Sequence, residues 1–298
     1  MIRKTAMITI AGRPNVGKST LTNKLTGDKV AIVTPKPQTT RNRIYGVFTY
    51  NETQMILLDT PGFHKAKTRL GDYMVGVVKE SVADVDAVAL IVEPVDNIGT
   101  QEEMLIEHIK KAGVPAVLVI NKIDTVRPDS VLPIIERYSQ YYNFDAIVPI
   151  SAKKGDGLEA LLDVFEKKAK PGPQLFPDGM ATDQPERQII AEIIREKLLI
   201  CLDKEIPHGT AVEITKFSER GEEDSPIIDV DATIFCEKSS HKGMIIGKNG
   251  AMLKKIGKYA REDIERFMGT KVFLQTWVKV KENWRDNKSM MKNFGYTK

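Results

Sequence analysis

Cysteine is nearly absent. The 298-residue chain holds two, Cys201 and Cys236, far apart and outside any CxxC or Cys/His spacing. This excludes a disulfide scaffold and a cysteine-bound structural metal, and it fits reduced thiols in a cytoplasmic protein. Long apolar runs are missing too: the longest, such as residues 116–120, fall far short of the roughly 20 that span a bilayer. Residues 1–10 carry no apolar core of the length a secretory signal needs and run directly into a strand-like pattern. The four histidines, at 64, 108, 208 and 241, are scattered, and neither repeats nor low-complexity tracts interrupt the chain. With 42% hydrophobic and 28% charged residues, the composition is that of a globular protein with about two domains.

A strong net charge is also lacking, at +4 overall, but the balance is uneven. Residues 238–298 hold 15 Lys+Arg against 5 Asp+Glu, leaving 29 against 35 in residues 1–237. A basic C-terminal fifth attached to a mildly acidic body suits an anionic polymer or surface as partner.

Hydrophobic periodicity predicts strands near 5–11, 43–50, 55–59, 87–92, 116–121 and 146–151, separated by helices near 18–25, 72–82, 101–112, 130–142 and 158–168. Near-continuous apolar strands alternating with helices imply an α/β, doubly wound, mostly parallel sheet over residues 1–170, whose ligands sit at the strands' carboxyl ends. Residues 171–185, rich in proline, read as a linker. Residues 186–298 follow the order α-β-β-α-α-β, a smaller α+β domain.

Gly12-Arg13-Pro14-Asn15-Val16-Gly17-Lys18-Ser19 fits GxxxxGK(S/T) between a strand and a helix that continues through Thr20. The loop's N–H groups suit phosphate oxygens, Lys18 the β- and γ-phosphates, and the Ser19 hydroxyl a Mg²⁺ ion. Asp59-Thr60-Pro61-Gly62 ends an apolar strand, which suits Asp59 to Mg²⁺ and the Gly62 N–H to the γ-phosphate. Asn121-Lys122-Ile123-Asp124 ends another. The Asp124 carboxylate matches guanine N1–H and N2 amino donors that adenine lacks, the Lys122 stem suits the ring face, and Asn121 suits a brace to the phosphate loop and a contact to guanine. At the next strand end lie Ser151-Ala152-Lys153, with the Ala152 N–H offered to guanine O6. A metabolic P-loop kinase is the rival reading, for which the last two segments would be accidents.

These segments resemble the translation-factor-related P-loop GTPases. The resemblance implies GTP and GDP as ligands, and a switch I threonine on Mg²⁺ and γ-phosphate at Thr40, with Thr39 the alternative. It makes Lys18, Thr40 and Gly62 the residues of the hydrolytic step. Where many small GTPases carry a water-orienting glutamine, this chain has Phe63, which has no group to orient water. Asn15 occupies the position of the asparagine used by K⁺-activated members, so hydrolysis is expected to be slow and stimulated by K⁺ or a partner. His64 reads as a solvent-facing switch residue.

Ile245-Ile246-Gly247-Lys248-Asn249-Gly250, followed by Lys254, Lys255 and Lys258 at helical spacing, matches the GxxG loop of KH domains, here in type II order. The glycines admit a phosphate backbone, and the lysines add charge. Ile256 reads as core and Trp277 as packing, with Trp284 a candidate base-stacking residue. A GTPase domain joined to a KH domain resembles a bacterial family of ribosome-assembly GTPases. That resemblance implies binding of the 3′ end of 16S rRNA, a role in 30S subunit biogenesis, peripheral association with the inner face of the cell membrane, and a monomer.

Overall fold

The computed structural model describes residues 2–203, 206–222 and 225–296. They form two compact units: residues 1–31, 40–67 and 71–183, and residues 32–39, 68–70 and 184–298.

The first unit is built on β1 (Lys4–Gly12), β2 (Ile44–Tyr50), β3 (Thr53–Asp59), β4 (Ala87–Val92), β5 (Ala116–Ile120), β6 (Ala146–Pro149) and the short β7 (Lys170–Pro171). The strand order is β2-β3-β1-β4-β5-β6, with β7 antiparallel along β1. Only the β2–β3 hairpin breaks the parallel run of the main path. Helices α1 (Lys18–Thr26), α2 (Arg69–Ser81), α3 (Thr100–Ala112), α4 (Val131–Tyr141) and α5 (Leu158–Glu166) connect the strands. All residues of β3, β4 and β5 are buried, because helices cover both faces of a parallel sheet. Apolar residues of the two faces therefore fill two cores, one around Ile8, Ile10 and Leu57 and one around Leu90, Leu118 and Ile109.

The proline-rich stretch after β7 lies against this unit. The Gln54 side chain bonds the backbone of Leu175 and Phe176, and Val47 N–H donates to Ala181 O at 2.8 Å.

The second unit contains α6 (Glu186–Cys201), β8 (Ala211–Glu222), β9 (Ser225–Cys236), α7 (Ser239–Ile246), α8 (Ala251–Met268), β10 (Lys271–Val280) and α9 (Lys288–Asn293). Its sheet runs β10-β9-β8, with β10 parallel and β8 antiparallel to β9. One face packs on α6, α7 and α8 through Ile190, Ile194, Val230, Ile256 and Ile264. Ile256 is core, as its spacing predicts. The tryptophans reverse the sequence expectation. Trp284 is fully buried, its Nε1–H donates to Gly209 O at 2.9 Å, and its ring meets Phe294 edge-on, so it is a packing residue. Trp277 is 44% exposed, because its side of β10 is the face turned from the helices. Cys201 and Cys236 are free thiols. No helix is long and apolar enough to cross a membrane among the described residues.

Candidate functional site

The register of β1 against its neighbours assembles the nucleotide site. Ile10 pairs with Asp59 and Gly12 with Ile91, so β1 and β3 end side by side at one edge. There β1 becomes the loop entering α1. A Cβ on Gly12 would lie 2.4 Å from Ile91 O, and one on Gly17, at φ +100°, would lie 2.2 Å from Asn121 Nδ2. Neither position has room for a side chain. Asn15 adds a left-handed turn at φ 66°. The loop N–H groups then precede the N-terminus of α1, where the helix dipole favours an anion.

Lys18 Nζ lies inside this loop and donates to Gly12 O at 3.2 Å and Arg13 O at 2.7 Å. Burial lowers its pKa to about 8, a shift the nearby Asp59 carboxylate opposes. Ser19 Oγ donates to Asp59 Oδ2 at 2.6 Å and sits 2.9 Å from Thr40 Oγ1, bringing the three expected Mg²⁺ ligands together. Thr39, by contrast, spends its hydroxyl on Thr34 Oγ1 and Lys36 O, both at 2.7 Å. Burial pushes the Asp59 carboxyl up to about 6 against the pull of Ser19 and Lys18. Its Oδ1 is buried with no hydrogen-bond partner among the described residues.

Thr60 Oγ1 donates to Ile10 O at 2.8 Å, so Thr60 secures the strand end. A Cβ on Gly62 would lie 2.6 Å from Pro14 Cα, which puts the Gly62 backbone against the phosphate loop. Phe63 is buried among Leu90, Val78 and Leu118. His64 differs from the solvent-facing reading. It is half-buried, with Nδ1 2.8 Å from Gly62 O, because the ring folds back onto its own turn.

The segments expected to recognise the base meet at the ends of β5 and β6. Asn121 Nδ2 donates to Val16 O at 2.8 Å, and its Oδ1 accepts from Ala152 N–H at 2.9 Å. One side chain thus ties the phosphate loop to the 151–153 segment. The Ala152 N–H, expected at guanine O6, is engaged by Asn121 in this structure. Asp124 Oδ1 accepts from Ser151 Oγ at 2.7 Å, which holds its carboxyl below the usual carboxylate range and keeps it an acceptor. Lys122 sits at φ 66° and pairs with Glu93, while Lys153 is exposed. The sequence reading missed Glu93 and Glu102. Glu102, buried in the first turn of α3, pairs with Arg13 of the loop, and Glu93 lies 3.7 Å from the same guanidinium. No motif marks these carboxylates, because only the fold brings them to the loop.

In the second unit, Gly247 at φ 72° and Gly250 at φ 77° bracket Lys248 and Asn249 between α7 and α8. A Cβ on Gly247 would lie 2.7 Å from Met252 Cβ, whereas Gly250 faces open space. Ile245 is fully buried and Ile246 packs beside it, so both anchor the loop to the core. A groove of about 750 Å³ opens beside the loop, lined by Gly250, Lys254, Lys255, Lys258, Leu274 and Thr276.

A phosphate loop, a convergent Ser/Thr/Asp set and an NKxD segment, followed by a GxxG unit, define a P-loop GTPase joined to a KH domain. Family models match accordingly, as a 50S ribosome-binding GTPase over residues 7–122 and as a KH domain over residues 205–285. The chain is 52% identical to GTPase Era of Ruminiclostridium cellulolyticum over 99% of its own length and 98% of that protein's. It is 50% identical to GTPase Era of Clostridioides difficile, with 98% of each chain covered. Two solved structures superpose with a TM-score of 0.94 at 38% identity, covering 99% of this chain and all of theirs. One is Era in complex with MgGDPNP and nucleotides 1506–1542 of 16S ribosomal RNA; the other is an Aquifex aeolicus Era variant bound to GDP·AlF4⁻. The chain belongs to the Era family and is a GTPase.

Proposed function

We propose that this GTPase is a switch that grips the 3′ end of 16S rRNA through its KH unit and assists 30S subunit biogenesis. The observation that carries the reading is the GxxG loop at Gly247–Gly250 beside a lysine-lined groove. It stands in a chain similar from end to end to an Era solved with that RNA.

Ser19, Thr40 and Asp59 fit a Mg²⁺ ion. They present oxygen donors, and the unpartnered Asp59 Oδ1 supplies the kind of ligand a hard cation takes. When bound, Mg²⁺ neutralises charge on the β- and γ-phosphate oxygens. The chain's own groups do the rest. Lys18 and the loop N–H groups hold the triphosphate, and Asp124 selects guanine. The Gly62 N–H follows the γ-phosphate, so water attack there, releasing GDP and phosphate, loosens that loop.

With Phe63 buried, no side chain at that position aligns the water, which supports slow intrinsic turnover and stimulation by a cation or a partner. Asn15, in the left-handed turn, is the proposed K⁺ ligand. Turnover that is equal in K⁺ and in Na⁺ would remove that part. Cytoplasmic location, peripheral attachment to the inner membrane face and a monomeric state complete the proposal. Its test is crosslinking in living cells, with Gly247→Asp as control. The expected result is crosslinks concentrated at the 3′ end of 16S rRNA and lost in the variant; crosslinks elsewhere, or undiminished in the variant, would overturn it.

A further inference from the structure

The two faces of β10 do different things. Leu274 and Thr276 point toward the helices and line the groove beside the GxxG loop. Lys271, Phe273, Gln275, Trp277 and Lys279 point the other way, and all five are exposed. Phe273 and Trp277 are 49% and 44% exposed. Four residues apart on one strand, they stand roughly 13 Å from each other, the reach of alternate bases in an extended single strand.

One end of this side of the sheet is closed. Phe235 is buried, with its ring 4.9 Å from that of Phe294, just after α9, and Trp284 lies beneath the same aromatic group. Among the described residues, the exposed aromatic side chains on this side of the sheet are those of β10. Its charge suits an anionic strand. The outward row of β10 holds two lysines and no carboxylate. On β9, Asp229 is taken up by Arg220 at 2.8 Å and Lys216 at 3.3 Å; Asp231, opposite Gln275, and Glu213 on β8 place negative charge on the inner strands, so the favourable positions for phosphate lie along the outer edge of β10, at Lys271 and Lys279. Arg220 also lies 5.9 Å over the Phe273 ring, a position from which its guanidinium strengthens stacking. Finally, β10 is an edge strand, so a chain leaving the groove reaches this face by rounding one edge.

We infer that the exposed face of β10, through Phe273 and Trp277, is a stacking platform for single-stranded RNA that continues out of the GxxG groove. Sheets that bind RNA by stacking bases on exposed aromatic side chains use the same chemistry. The inference rests on the RNA-binding reading above and extends the bound length beyond the roughly four nucleotides a GxxG groove clamps.

The test uses the full chain with a non-hydrolysable GTP analogue and two RNAs, a core of about four nucleotides and the same core lengthened at both ends. Each stacked base is worth roughly 5- to 160-fold in affinity, so the long RNA is expected to bind at least about tenfold tighter than the core. Phe273→Ala with Trp277→Ala removes that gain and leaves core affinity, GTP turnover and thermal unfolding unchanged, while Phe273→Tyr with Trp277→Phe restores it. The inference is overturned if lengthening brings no gain, if the alanine pair keeps it, or if core and long RNA weaken equally. It is also overturned, in favour of a protein partner, if the pair loses affinity for small ribosomal subunits and not for naked long RNA. A core that the unaltered chain binds no better than its Gly247→Asp variant defeats the RNA-binding reading itself.

Discussion

At the scale of single residues, Asn121 and Asp124 are the proposed guanine end of the site, and they make different contacts. Asn121 satisfies Val16 O and the Ala152 N–H at once, both buried. Asn121→Ala leaves both unpaired, at about 2–4 kcal/mol. A lower urea midpoint at unchanged slope, together with weaker GTP binding, is the expected measurement. Asp124 is held as an acceptor by Ser151. Asp124→Asn replaces a double acceptor with an acceptor and a donor. GTP affinity is expected to fall by roughly 100-fold or more, while xanthosine triphosphate, whose 2-oxo group accepts from the new amide, binds better than GTP. Calorimetric titration of both nucleotides checks the reversal. Most of these residues were named from the sequence as candidates, because glycine, lysine and carboxylate spacing follows phosphate and base chemistry directly. Glu102 was not, since a lone glutamate in a helix carries no such pattern.

At the scale of elements, boundaries followed periodicity where a strand is fully buried, as in β4 and β5. Near the C-terminus periodicity gives little guidance. Residues 281–298 show little periodicity, yet α9 forms and, with Trp284, covers one end of the second sheet. Trp284→Ala is expected to destabilise the second unit by about 3–5 kcal/mol and to leave GTP affinity in place, read as a lowered denaturation midpoint by a probe in that unit. Trp277→Ala, at an exposed position, stays within about 0.5 kcal/mol. The opposite ranking follows from the sequence reading, in which Trp277 packs and Trp284 is free to stack. Alternation along β10 was visible; which of its two faces meets the helices was not.

At the scale of the whole molecule, the excess of ten positive charges over residues 238–298 is the electrostatic footprint of the RNA-binding end. Lys254 and Lys258 are exposed on α8 beside the groove. Replacing both with alanine is expected to weaken binding of any single-stranded RNA and to lower the slope of log affinity against log salt by about 1.4, near 0.7 for each lost phosphate contact. Guanine-nucleotide affinity of the same variant stays constant. An unchanged slope would place the phosphates elsewhere.

The sequence by itself determined the class of both units. The phosphate loop, DTPG, NKID and GKNG are short local patterns whose chemistry depends on neighbours in the chain, and strand and helix periods place each at an element's end. The tertiary structure alone decided which of two adjacent threonines reaches Ser19, that His64 turns inward, that Glu93 and Glu102 brace the phosphate loop, and which tryptophan is bare. Those outcomes depend on contacts between residues tens of positions apart, and such contacts come from the packing of sheets against helices, which a local pattern does not encode.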